Sequence, residues 1–211
     1  SELIFEAIKA RKIEYVFCLP GESFLASLDA FYDTEKPRLI STRHEEGAGI
    51  MADVYAKATG KTGVCMVTRG PGLTHLSVAL HTAKQDSTPL VAFVGQVSRH
   101  FLHREAFQEI NVVEFVGPIS KWAFELNSTD RVAELVGKAF DVAESGRPGP
   151  VVISLPEDID RSVCVNQPVY QEAKKVSQSL ADEGVKIIAD MISLAKRPCI
   201  IAGEGVLRSK V

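Results

Sequence analysis

No stretch of this sequence is apolar for long enough to cross a bilayer, which takes roughly 20 residues; runs such as Pro89–Gly95 and Val151–Leu155 are far shorter. Positive charge is not in excess either. Lys and Arg number 24 against 27 Asp and Glu, a formal net charge of -3, so no basic field draws nucleic acid or an anionic membrane surface. The opening Ser-Glu-Leu-Ile-Phe-Glu-Ala has no basic segment ahead of its short apolar stretch and reads as no signal peptide. Cysteine is sparse and scattered, at Cys18, Cys65, Cys164 and Cys199. Without a CxxC pair or a His-rich neighbour these positions spell no metal site. They read as buried small hydrophobes in a reducing cytoplasm. Also missing are the GxGxxG of dinucleotide-binding domains and the Lys-Ser/Thr ending of a P-loop.

What is present is an alternation. Apolar runs suited to strands (Tyr15–Leu19, Leu39–Arg43, Val64–Thr68, Leu90–Val94, Trp122–Leu126 and Val151–Leu155) are separated by helical stretches. The helical stretches are Leu3–Arg11, Phe24–Tyr32, Glu46–Ala58, Leu73–Gln85, Val112–Val116 and Thr129–Glu144. Strands apolar on both faces and divided by helices imply βαβ crossovers. The expected fold is therefore α/β: a doubly wound, mainly parallel, six-stranded sheet with helices on both faces. Residues 1–161 form this domain. Pro156 onward changes texture and residues 162–175 read as a linker, with Ser128 as the cap of the Thr129 helix. Residues 176–211, with a helix over Val176–Ala195 and a strand over Pro198–Ala202, read as the truncated start of a second α/β domain.

In such sheets ligands gather at the carboxyl ends of the strands. Three loops fall there. Leu19-Pro20-Gly21-Glu22-Ser23-Phe24 is a turn with an acid at its mouth, and Ser23 is placed to cap the next helix. Thr42-Arg43-His44-Glu45-Glu46-Gly47-Ala48-Gly49 ends a strand with two acids at a helix start, where the helix dipole favours them. Thr68-Arg69-Gly70-Pro71-Gly72-Leu73-Thr74 is glycine-rich, and on its own a weak phosphate-cradle signal.

Taken together the loops are more specific. Arg43 to Ala56, followed by Thr59-Gly60-Lys61, resembles the signature of thiamine-diphosphate (ThDP) enzymes of the acetolactate synthase family. Val67-Thr68-Arg69-Gly70-Pro71-Gly72 is similar to that family's Gly-Pro-Gly loop. Val94-Gly95-Gln96-Val97, Ala106-Phe107-Gln108-Glu109, Ser120-Lys121-Trp122 and Ser145 to Val151 continue the match in register. It ends at Leu155-Pro156-Glu157-Asp158 and covers residues 14–161, and Pro198–Gly205 resembles the opening of the family's central domain.

The resemblance implies a ThDP pyrimidine-binding domain and a carbon–carbon bond-forming or bond-cleaving enzyme acting on pyruvate or a related 2-keto acid. A 2-keto acid decarboxylase, an aldehyde lyase, an acyl-CoA-linked ThDP lyase and a non-catalytic ThDP-fold protein are the alternatives. It implies that Glu45 is the acid sharing a proton with the cofactor's pyrimidine ring, which burial of a carboxyl assists. Glu46 is then a helix-start residue and His44 structural. Cofactor contacts are implied for Gly21, Glu22, Pro71, Gly72, Thr74 and His75, and a place near the substrate for Gln96, Phe107, Gln108 and Lys121. Mg²⁺ would be bound through a Gly-Asp-Gly motif that this chain does not contain, so no metal ligand is expected in it. FAD is left open as a second cofactor, and self-association as dimer or tetramer is implied. Two departures stand out: Gly21-Glu22 replaces the usual Gly-Gly, and Leu73-Thr74-His75 replaces Ala-Thr-Asn.

Overall fold

The computed structural model describes residues 1–32, 34–164 and 181–209. They divide into two compact units, Ser1–Glu172 and Ala173–Val211. The first contains six strands, β1 (Tyr15–Cys18), β2 (Arg38–Ser41), β3 (Gly63–Thr68), β4 (Leu90–Gln96), β5 (Trp122–Glu125) and β6 (Pro150–Pro156). All pair in parallel in the order β2-β1-β3-β4-β6-β5. The helices of this unit are α1 (Glu2–Ala10), α2 (Leu25–Asp29), α3 (Glu45–Thr59), α4 (Arg69–Gln85), α5 (Val112–Val116), α6 (Val132–Glu144) and α7 (Glu157–Arg161).

The central strands β4 and β6 are buried along their whole length, as a sheet covered on both sides requires. Period-two alternation splits their side chains between two cores. Val64, Met66, Val91, Phe93, Val151 and Ile153 face one layer with Ile4, Ile8, Val136 and Phe140 of α1 and α6. Cys65, Val67, Ala92, Val94 and Val152 face the other, with Ala48, Ala52, Leu76 and Ala79 of α3 and α4. Small side chains on α3 let it pack closely over the sheet. Burial pushes the Cys18 and Cys65 thiols up to about 11 and about 12; Cys164 is half-buried, and Cys199 is exposed, against the expectation of a buried position.

The strand order reverses between β1 and β3. β1 hands the chain outward to β2, whereas β3 hands it the other way to β4. Loops after β1 and β3 therefore diverge, leaving a crevice at the carboxyl edge.

Several local expectations change. The Gly-Pro-Gly segment is not a loop: α4 starts at Arg69 and carries Pro71 in its first turn, where the missing N–H costs nothing. Phe24–Tyr32 becomes a 3-10 turn over Glu22–Phe24 followed by the short α2. Ser23 caps neither; its hydroxyl binds Thr68 instead. Ser128 precedes a 3-10 turn, Thr129–Arg131, without a side-chain cap bond, and α6 begins at Val132. Glu157–Arg161, the end of the first domain where the sequence lacks period, is helical.

Residues 165–180, which include most of the expected linker and the start of the Val176 helix, lie outside the described residues. In the second unit α8 spans Asp182–Leu194 and α9 Glu204–Ser209. Pro198–Ala202 forms no strand, because a single extended segment has no neighbour to satisfy its backbone. Among the described residues no helix is long and apolar enough to cross a membrane.

Candidate functional site

The crevice is built from the three loops. Thr42 ties the end of β2 to β1, its backbone N–H donating to Cys18 O at 2.7 Å. Its hydroxyl donates to His44 O at 3.0 Å. His44 is extended and caps α3, Nδ1 accepting the Glu46 N–H at 3.3 Å. That cap starts the helix one residue later and turns Glu45 inward. Glu45 is 6% exposed, whereas Glu46 is only half-buried. The two adjacent acids thus separate into one at the surface of the helix start and one inside the crevice.

Glu45 is not alone there. Its Oε2 shares a hydrogen bond of 2.9 Å with Nδ1 of His75, on the second turn of α4. The His44 ring stacks on the His75 ring, centroids 4.6 Å apart and planes 28° apart. The other oxygen, Oε1, lies beside Gly72, where a Cβ would stand 3.5 Å from it and 3.3 Å from Val67 Cβ. Glycine therefore lets the helix backbone come close to a buried acid, where a side chain would crowd Val67 and Glu45. Pro71 and Thr74 are exposed on the same turn, the Thr74 hydroxyl donating to Pro71 O at 2.8 Å.

His44, Glu45 and His75 are the one group among the described residues whose ligand atoms all fall within 4.8 Å of one another. They do not converge as metal ligands. Glu45 Oε2 and His75 Nδ1 are engaged with each other, His44 Nδ1 is engaged by the cap, and the rings stack instead of fanning around a centre.

A second cluster closes the other side of the crevice. Gly21 passes so near β3 that a Cβ would come within 2.5 Å of Thr68 Cβ, and Ser23 Oγ lies 2.7 Å from Thr68 Oγ1. Glu22 turns its exposed carboxylate to Arg69, 3.0 Å away, and Glu157 lies 3.6 Å from the same guanidinium. Arg69 is 7% exposed, its Nε has no partner, and its φ is +41°. A buried cation at positive φ is a strained arrangement that its neighbours must hold in place.

The exposed Phe107 ring lies 5.9 Å from that guanidinium. Gln108, φ +62°, accepts the Gly70 N–H at 2.9 Å, so the segment lies across the start of α4. Backbone N–H groups of His103 and Ala106 hold the Glu109 carboxyl below the usual carboxylate range. Gln96 is buried and braces this segment: its amide donates to Ile110 O at 2.7 Å and its oxygen accepts the Val97 N–H at 2.9 Å.

The structure sets Glu45, Gly72 and His75 against one another, with Pro71 and Thr74 on the same turn. It places Gly21 and Glu22 on Thr68 and Arg69 at the start of α4, lays Phe107 and Gln108 over Arg69 and Gly70, and buries Gln96 behind them. Lys121 is not among them. That residue precedes β5 at the amino edge of the sheet, and its ammonium donates to Val142 O and Ser145 O at the end of α6. A helix C-terminus attracts a cation there. Arg69 and Glu157 are the charged residues sequence reasoning passed over; an Arg directly before Gly-Pro-Gly was the visible signal.

A family model described as the thiamine pyrophosphate enzyme N-terminal TPP binding domain matches residues 1–115. The chain is 39% identical to a probable acetolactate synthase large subunit of Methanococcus aeolicus, over 99% of the chain and 36% of that protein. It is 36% identical to the acetolactate synthase large subunit of Lactococcus lactis, over 98% of the chain and 36% of that protein. It is also 33% identical to the mitochondrial acetolactate synthase catalytic subunit of Saccharomyces cerevisiae, over 98% of the chain and 32% of that protein. The chain spans about a third of the length of the curated relatives it matches.

Proposed function

The chain belongs to the thiamine pyrophosphate enzymes, whose N-terminal TPP-binding domain it carries, and from that premise we propose that Glu45 is the acid that meets the pyrimidine ring of ThDP. The observation that carries this reading is a buried carboxyl with one oxygen held by His75 and the other left beside a glycine. The residues suit the group. An aminopyrimidine presents a ring nitrogen in its plane and flat faces above and below. A buried acid can share a proton with the nitrogen, and the absence of a side chain at Gly72 lets a flat ring approach the helix backbone beside it.

When bound, ThDP supplies the nucleophilic carbon and the electron sink for making and breaking bonds next to a carbonyl. This chain's residues do less, and at defined atoms. Glu45 Oε1 is the atom that would meet the ring nitrogen. Gly72 and Pro71 shape the wall of the pocket. Glu22 and Arg69 set the charge at the mouth of the crevice, where a carboxylate substrate would arrive.

The reaction proposed is carboligation of the acetolactate synthase type, from pyruvate or a related 2-keto acid, which the names of the relatives support. The diphosphate would be held through Mg²⁺ by residues outside this chain, and self-association as a dimer or tetramer would complete the site. A second reading, 2-keto acid decarboxylase, is favoured by one feature: an acid, Glu22, where the resemblance to acetolactate synthases implies glycine.

The test is to supply the enzyme with ThDP, Mg²⁺ and pyruvate and to identify the products beside a Glu45→Gln control. Acetolactate that disappears in the control supports the synthase. Acetaldehyde moves the reading to the decarboxylase. Pyruvate turnover undiminished in Glu45→Gln would overturn the role of Glu45. Flavin absorbance of the purified protein decides whether FAD is present.

A further inference from the structure

A glutamate side chain does not orient its own carboxyl plane, because the last torsion is broad and roughly two-fold. A carboxyl that must present one chosen oxygen to a ring nitrogen therefore needs a second group to fix it. Here a chain of contacts does so. The cap bond from the Glu46 N–H fixes the His44 ring. That ring stacks on His75. His75 Nδ1 in turn binds Glu45 Oε2, leaving Oε1 beside Gly72.

His75 is poorly explained as packing. Its side chain is 51% exposed and stands on the outer turn of α4, while the carboxyl it reaches is 8% exposed. A half-exposed imidazole bound to a buried acid contributes to that acid and little to the core. The contact also joins two helices whose residues lie 30 apart in the chain, so neither helix makes it by itself.

We propose that His75 is a positioning residue for Glu45: donating from Nδ1 to Oε2, it aims Oε1 at the cofactor pyrimidine, so that a proton can be shared between Oε1 and the ring nitrogen. The proposal rests on the assignment of Glu45 made above. No covalent step is involved; a single proton is apportioned between Glu45 Oε1 and the ring nitrogen. Removing the donor leaves Oε2 without its partner and frees the carboxyl to turn Oε1 away from the ring nitrogen, so the bound ring stays neutral.

The experiment compares wild type, His75→Leu, His75→Asn and Glu45→Gln as holoenzymes with ThDP and Mg²⁺. ThDP affinity, turnover and the near-ultraviolet circular dichroism of the bound cofactor, which reports the protonation and tautomeric state of its aminopyrimidine, are measured for each. In His75→Leu turnover should fall about tenfold or more, the size of one lost hydrogen bond to a charged group. Its cofactor spectrum should shift toward the neutral ring, with ThDP affinity changed only a few-fold. His75→Asn places an amide N–H where Nδ1 stood and should restore both turnover and spectrum.

His44→Ser keeps a capping oxygen, removes the stack, and should give a partial spectral shift of the same sign. That variant serves if His75→Leu fails to fold. A wild-type spectrum in His75→Leu, or in a folded His44→Ser, would overturn the proposal. A His75→Asn variant no better than His75→Leu would overturn it too. Failure of the Glu45 assignment has a different mark: Glu45→Gln would then keep the wild-type spectrum and turnover as well.

Discussion

Two charge clusters at opposite edges of the parallel sheet, one around Glu14 and one around Glu45, handle charge and space in opposite ways. At the amino edge the charges around Glu14 pair in the open, whereas Arg11, its side chain 5% exposed, is fully matched by Asp141 and Glu144. Glu14, before β1, is bracketed by Lys36 at 2.6 Å and Lys61 at 2.9 Å, with all three side chains substantially exposed. Gly146, in the loop before β6, has φ +52° and nothing within 4 Å of where a Cβ would stand. At the carboxyl edge charges are buried and only partly satisfied: Glu45 and Arg69 are 6% and 7% exposed, and Arg69 Nε has no partner. Gly95, at the end of β4, has no room at all, since a Cβ would fall 1.9 Å from Ser23 Oγ. Desolvated charge is costly, and a fold keeps it where it serves a ligand. The amino edge holds the sheet together, and the carboxyl edge holds a geometry.

The sharpest way to break that comparison is at Glu45. Glu45→Gln keeps the shape and removes the acid; turnover should drop by roughly 10²–10⁴, the range for a lost general acid or base. Thermal unfolding should stay near wild type. A large loss of stability with the loss of activity would make Glu45 a core residue and erase the contrast. Next in size is steric. Gly95→Ala drives a methyl into Ser23 and Phe24 and should destabilise by about 1–3 kcal/mol, the usual cost of overpacking. Gly146→Ala carries only its backbone strain, of roughly 1–2 kcal/mol, and should leave ThDP affinity unchanged. Denaturant midpoints and cofactor titrations separate the two. ThDP affinity should fall in Gly95→Ala alone.

How far all this is legible in the sequence depends on range. Strand cores such as Val64–Val67 and Val151–Leu155 announce themselves, because burial on both faces leaves an unbroken apolar run. Glu45 is legible through the residues around it in one continuous motif. The start of α4 is misread because Gly70, Pro71 and Gly72 are breakers in isolation, while a first turn tolerates them. Ser23 and Lys121 are misplaced for another reason. Each chooses a partner 45 or 21 residues away over the local role its type suggests. Positive φ at Arg69 and Gln108 has no sequence signal when the residue is neither glycine nor asparagine. The Glu45–His75 bond is likewise a product of tertiary packing. The sequence supplies both partners, and only the fold brings them together.

Smaller effects sharpen the amino edge. Lys121→Met removes the ammonium from the α6 carbonyls and should cost about 0.5–1 kcal/mol, a typical partly exposed hydrogen bond, with turnover unchanged. A change in turnover would return Lys121 to the substrate path that its sequence context implied. The smallest effect belongs to Glu14. Lys36 and then Lys61 hold its carboxyl down at about 2 from an ordinary 4.5. Because the folded value is depressed, the pair's contribution is fully present above pH 4.5 and is lost as pH falls through about 2. Exposure lets water and salt screen it. The stability difference between wild type and Glu14→Gln should therefore be small at neutral pH, shrink further on acidification, and disappear in high salt. A difference that survives both would mean the Glu14 cluster also depends on desolvated charge, and the contrast between the two clusters would fail.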